Sequence, residues 1–114
     1  YFTATDGSLG RELWRSDGTA AGTWMVRDVR AGFASGLSTS GLWSFGSRLF
    51  FAGTTDAEGT EPWVSDGTSA GTRLLRDVAA GTMSSMDAPQ IYVAVSESEV
   101  FFVAADLATG TELW

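Results

Sequence analysis

Three glutamates stand two residues ahead of a tryptophan in this chain: Glu12, Glu61 and Glu112, before Trp14, Trp63 and Trp114. Carboxylates are the natural acid–base groups here, because the chain has no histidine and no cysteine. Two carboxylates facing each other within about 10 Å would suit glycoside hydrolysis. Equivalent positions of successive repeats usually lie farther apart than that. A structural role is easier to derive. If the following hairpin is centred between Thr19 and Ala20, Glu12 lies across from Arg27 and Glu61 from Arg76. We therefore predict two cross-strand ion pairs.

The tryptophans offer a second chemistry, stacking on sugar rings. Recurrence argues instead for packing, since each repeat meets the same neighbour. Trp24 and Trp43 do not recur; their counterparts are Arg73 and Ala94. They are the better candidates for ligand platforms. Phe33 joins them because it sits in the long stretch 31–40, and such loops carry binding function on rigid scaffolds. The matching stretch 79–90 holds Met83, Met86 and Asp87.

A metal site would need oxygen ligands, which leaves calcium or magnesium. The loop Asp6-Gly7-Ser8-Leu9-Gly10 has Thr55 where Asp6 stands, so its oxygen set is not kept between repeats. A hairpin turn is the simpler reading. The Ser-Asp-Gly-Thr segments at 16–19 and 65–68 place Asp17 and Gly18, then Asp66 and Gly67, in tight turns. Aspartate can accept N–H groups two or three residues on, and glycine takes positive φ. We expect no cofactor, with calcium as the one ion worth testing.

The elements behind these residues come from self-comparison. The tryptophans are 49 and 51 residues apart, and Phe2, Phe51 and Phe102 each precede one by twelve residues. Tyr1, Phe50 and Phe101 come just before those phenylalanines. Residues 15–23 match 64–72, and Arg-Asp-Val recurs at 27–29 and 76–78. The complete copy splits into strands at 42–45, 48–54, 60–65 and 72–78, with Gly46-Ser47 as a two-residue turn. The copies cover 1–30, 41–78 and 91–114, with three, four and three strands. Their recurring positions Glu12, Trp14, Asp17, Gly18, Glu61, Trp63, Asp66, Gly67, Glu112 and Trp114 read as structural.

This predicts an all-β fold of tandem four-stranded antiparallel meanders, the blades of a β-propeller. One sheet cannot bury both faces alone, so neighbours must stack on it. About two and a half blades suggest a longer parent chain. A ring of several copies or an open stack are the alternatives.

Seven basic residues, all arginine, face fourteen acidic ones, giving a net charge of −7. That disfavours nucleic acid, which asks for a basic face, and anionic membrane surfaces. No apolar run is long enough for a spanning helix, so we expect no membrane insertion.

The segment Glu-Leu-Trp-Arg-Ser-Asp-Gly-Thr at 12–19 resembles the bacterial repeat family named for its consensus E-L-W-x-x-D-G-T. The second copy departs at Pro62, and the third is matched from Glu112 to Trp114. The resemblance spans essentially the whole chain. It implies secreted or surface-attached bacterial proteins with propeller-like repeats, and it implies no activity. The Asp-Gly turn is also similar to the aspartate box of sialidase-like propellers, which is a structural clip. Pro62 suggests a position whose backbone N–H the sheet does not need.

The expected function is therefore a non-catalytic extracellular or cell-surface propeller module. It would act as an interaction or structural scaffold with an unknown protein or glycan partner. A carbohydrate-binding propeller is the alternative, and a sialidase- or glycosidase-like hydrolase fragment a more distant one.

Overall fold

The computed structural model describes residues 1–38, 41–87 and 92–114. Residues 39–40 and 88–90 of the two connecting stretches, and the predicted third-copy start at Ile91, lie outside them. Ten strands run in chain order: β1 (Phe2–Ala4), β2 (Glu12–Ser16), β3 (Thr23–Arg27), β4 (Trp43–Phe45), β5 (Arg48–Thr55), β6 (Gly59–Ser65), β7 (Arg73–Leu74), β8 (Val93–Val95), β9 (Val100–Asp106) and β10 (Gly110–Leu113). The described residues contain no helix, so none is long and apolar enough to cross a membrane.

The strands form three antiparallel meanders: β1-β2-β3, β4-β5-β6-β7 and β8-β9-β10. Three, four and three strands were expected, and that is the arrangement. The turn residues set the register. Gly46 at φ +53° closes the β4–β5 hairpin, bringing Phe45 opposite Arg48. The β5–β6 ladder then runs unbroken from Leu49↔Ser65 to Thr55↔Gly59.

The middle sheet is buried on both faces because side chains alternate along a strand. Leu49, Phe51 and Trp63 point one way and join Leu13, Val26, Val29 and Leu37 from the first repeat. Phe50, Ala52 and Val64 point the other way and join Val78 and Met86 with Phe102 and Ala104 of the third. Phe50 and Phe51 are fully buried, each contributing about 1.5–3 kcal/mol of apolar transfer. Phe50 stacks on Phe102 with centroids 5.0 Å apart.

The last predicted strand of the complete copy is shorter than expected. Residues 72–78 were assigned to it, but β7 holds Arg73–Leu74 alone. Leu75 N–H still reaches the Pro62 carbonyl at 2.8 Å. Beyond it the chain leaves the ladder, because the Glu61 carboxylate takes the N–H groups of Val78 and Ala79. Pro62 thus accepts from β7 and has no proton to give it.

Candidate functional site

Glu12 and Glu61, two of the three recurring glutamates, are buried anchors for the connecting loops. Glu12 is fully buried. Its Oε2 accepts Val29 N–H at 2.8 Å and its Oε1 accepts Gly36 N–H at 2.7 Å. Glu61 repeats this with Val78 at 2.9 Å and Ser85 at 3.0 Å, and adds the Ser85 hydroxyl at 2.6 Å. The side chain of each therefore holds a loop 17 to 24 residues downstream. Burial pushes the Glu12 carboxyl above its usual range, the two N–H donors pull it back, and the Asp28 carboxylate adds to the rise. Asp28 Oδ1 is itself buried and finds no hydrogen-bond partner among the described residues.

The predicted Glu12–Arg27 and Glu61–Arg76 ion pairs do not form. A bulge between Leu13 and Trp14 sets Arg27 opposite Leu13. Buried backbone donors take the carboxylates instead. The one ion pair among the described residues joins Arg30 and Asp56 at 2.6 Å. The freed guanidiniums cross to the next sheet. Arg27 lies 5.8 Å from the Trp63 ring and donates to the carbonyls of Ser69 (3.3 Å) and Thr72 (2.7 Å). Arg76 lies 4.8 Å from the Trp114 ring. Glu112, the third glutamate, is exposed.

Trp63 and Trp114 pack between sheets, while Trp14 lies on the outer face of the first sheet beside Phe2. Trp14 and Trp114 donate their indole N–H to Ala4 and Ala104 carbonyls at 3.1 and 3.3 Å. Trp63 differs. Gly53 replaces the alanine, and the ring lies so close that a Cβ there would sit 2.7 Å from Cδ1. Its buried Nε1 finds no acceptor among the described residues.

The Asp-Gly-Thr turns are closed clips. Asp17 Oδ1 accepts the N–H and hydroxyl of Thr19 at 2.9 and 2.8 Å. Asp66 does the same with Thr68 at 2.9 and 2.7 Å. Gly18 and Gly67 have φ of +93° and +87°. Ser65 and Thr72 bond across the base of the clip at 2.7 Å, buried. The threonine bonds, with the turn's own N–H groups, hold both aspartates below their usual range. Each loop aspartate of the other turn is equally committed: Asp6 accepts Ser8 and Leu9 N–H, and Asp106 accepts Ala108 and Thr109 N–H. Thr55 makes the matching bond with its hydroxyl, to Glu58 N–H at 3.0 Å. Among the described residues no three acidic side chains come together as a metal-ligand set.

The nonrecurring aromatics have separate surroundings. Trp24 is 44% exposed, with the Arg15 guanidinium 4.7 Å over its ring. Phe33 is 87% exposed on its loop. Trp43 is half-buried, 6.1 Å from Phe50, and folds back over Gly41; it is a poorer platform than its lack of recurrence suggested. Met86, singled out in the second loop, is core, while Met83 and Asp87 are exposed.

The connecting loops are also less variable than their sequences. Gly36 and Ser85 accept from the next sheet, at Thr54 N–H (2.7 Å) and Ala105 N–H (3.0 Å). Ser35 and Ser84 hydroxyls accept Arg11 and Thr60 N–H. Each loop is thus a staple joining one sheet to the next. The signal was present as Ser35/Ser84 and Leu37/Met86 at the same 49-residue offset as the tryptophans.

Two shallow cavities open where strand turns meet. One of about 190 Å³ is lined by Phe45, Gly46, Ser47, Arg48, Glu97 and Ser98. The other, about 90 Å³, lies between Arg48, Asp66 and Arg73. Each contains one carboxylate. No family model matches this chain, and no curated protein and no solved structure matches it either.

Proposed function

We propose that the chain is a non-catalytic extracellular β-propeller repeat module, each sheet one blade, serving as an interaction or structural scaffold. The observation that carries this reading is the commitment of the recurring polar groups. Glu12 and Glu61 spend both carboxylate oxygens, and Asp17 and Asp66 their Oδ1, on the protein's own N–H and hydroxyl groups. A hydrolytic pair needs two carboxylates free to face a substrate, and these two cavities among the described residues hold one each. The resemblance of residues 12–19 to the bacterial E-L-W-x-x-D-G-T repeat supports the propeller, the extracellular setting and the scaffold role together.

The surface offered to a partner is the end where the connecting loops meet the β5–β6 and β9–β10 turns. The Arg30–Asp56 pair and the approach of the Met83 carbonyl to Gly59 bring the two loops to the β5–β6 turn, and the Ala105 N–H bond to the Ser85 carbonyl brings the second loop to the end of β9. Phe33 and Met83 are exposed on the loops and Leu107 on the β9–β10 turn, and exposed apolar groups that form a patch mark interaction sites. A carbohydrate-binding reading has one observation in its favour, the exposed Trp24.

Panning the immobilised chain against a displayed peptide library and a glycan array separates the two. The scaffold reading expects peptide ligands that are lost in Phe33→Ser/Leu107→Ser with melting unchanged. Glycan hits lost in Trp24→Ala, with no peptides selected, would establish the sugar-binding reading instead.

A further inference from the structure

The two contacts between sheets are built by one rule. In each, a Phe–Trp pair on the later sheet receives apolar residues of the earlier one, and an arginine from the earlier sheet crosses over the tryptophan. The staple loop then bonds to the later sheet through Gly36 or Ser85.

Both halves of this contact recur, uncovered, at the two ends of the stack. On the first sheet, Phe2 stacks on Trp14 at 6.4 Å and 28°. The buried pair Phe51–Trp63 has 6.3 Å and 29°. The receiving half is therefore already in its packed geometry, yet Phe2 is 38% exposed where Phe51 is 1%. On the last sheet, Phe101, Val103 and Leu113 occupy the positions of Phe50, Ala52 and Pro62. Phe50 is fully buried, whereas Phe101 is 44% and Leu113 72% exposed.

We propose that a second copy of this chain docks head to tail, seating the first sheet of one molecule on the last sheet of another. The two faces are complementary to each other, by the same pairing the molecule makes twice internally, and each is a different surface. Such a contact is heterologous and continues into a ring or a filament. It extends the established sheet-on-sheet packing and stands on that packing, independently of the propeller reading. The contact between copies is intermolecular and therefore depends on concentration. Copies that each carry a net charge of −7 repel, so salt strengthens the association by screening.

Light scattering over a range of protein and salt concentrations tests this. Mass above the monomer, rising with both, is expected. Phe2→Arg and Phe101→Arg each spoil one face and should each give monomers with an unchanged far-UV spectrum. Mixed in equal amounts, they should give a dimer and nothing larger, because one intact pair of faces remains. If Phe101→Arg fails to fold, Leu113→Arg on the same face takes its place. A wild-type chain that stays monomeric at every concentration and salt overturns the proposal. So does a dimer that either single variant still forms alone, because that would be an isologous contact.

Discussion

Glu61 shows how a residue that looks catalytic can be wholly structural. Its two oxygens accept three buried backbone N–H groups and a hydroxyl. Glu61→Ala should cost about 3–5 kcal/mol, measured by urea unfolding, and Glu61→Gln should cost less because one strong acceptor remains. The Ser65–Thr72 bond gives a second test. Thr72→Val leaves the buried Ser65 hydroxyl without it, at about 1–3 kcal/mol, and adding Ser65→Ala should not restore stability, because the Ser65 hydroxyl also accepts the buried Gly67 N–H. Acid response has opposing parts. Glu12 holds its proton more tightly folded than unfolded, because its carboxyl is raised above the ordinary 4.5. Its share of stability is therefore fullest below that value and falls as pH rises through the raised one. Asp17 and Asp66 lie below the ordinary 3.8, so their share is present above it and lost as pH falls. We expect the melting temperature to peak between these ranges, and Glu12→Gln to remove the decline on the alkaline side. A profile unchanged by that substitution would contradict the assignment.

At the scale of elements, the sequence placed most strands well and the fourth of the complete copy poorly. Arg48–Thr55 and Gly59–Ser65 follow from aromatic alternation bounded by glycine turns. Residues 75–78 have the same strand-like composition, but Leu75 is the last to bond to the ladder and Val78 gives its N–H to the Glu61 side chain, a contact that no local pattern reveals. The two ion pairs failed for different reasons: the bulge at Leu13 shifts the register at Glu12 by one residue, which moves a side chain to the other face, whereas β6 and β7 keep the expected register but β7 ends at Leu74, short of Arg76. The sheets' packing predicts unequal costs for two neighbouring residue types. Phe51→Ala, which empties the contact between the first two sheets, should cost about 3–5 kcal/mol. Phe101→Ala on the outer face should cost under about 1 kcal/mol in the monomer.

Across the whole molecule, stability is unequal along the stack. The middle sheet has neighbours on both faces, while each outer sheet has one. In such an array stability follows the neighbours each unit has. Amide exchange should thus be slowest in β5 and β6 and fastest in β1 and β10. Equal protection in all three sheets would show a single cooperative unit instead.

The sequence by itself determined the repeat, its strands, its Asp-Gly-Thr clips and the structural role of its tryptophans. These are local or periodic features, set by alternation, by turn residues and by the identical neighbour each copy meets. Only the tertiary structure decided what Glu12 and Glu61 bind, where Arg27 and Arg76 reach, and that Met86 is core while Phe33 is not. Those outcomes depend on which buried donors converge from loops tens of residues away, and on how one sheet lies against the next. Glu12 and Glu61 are therefore anchors, and the open surface lies at the loop end and on the two outer faces.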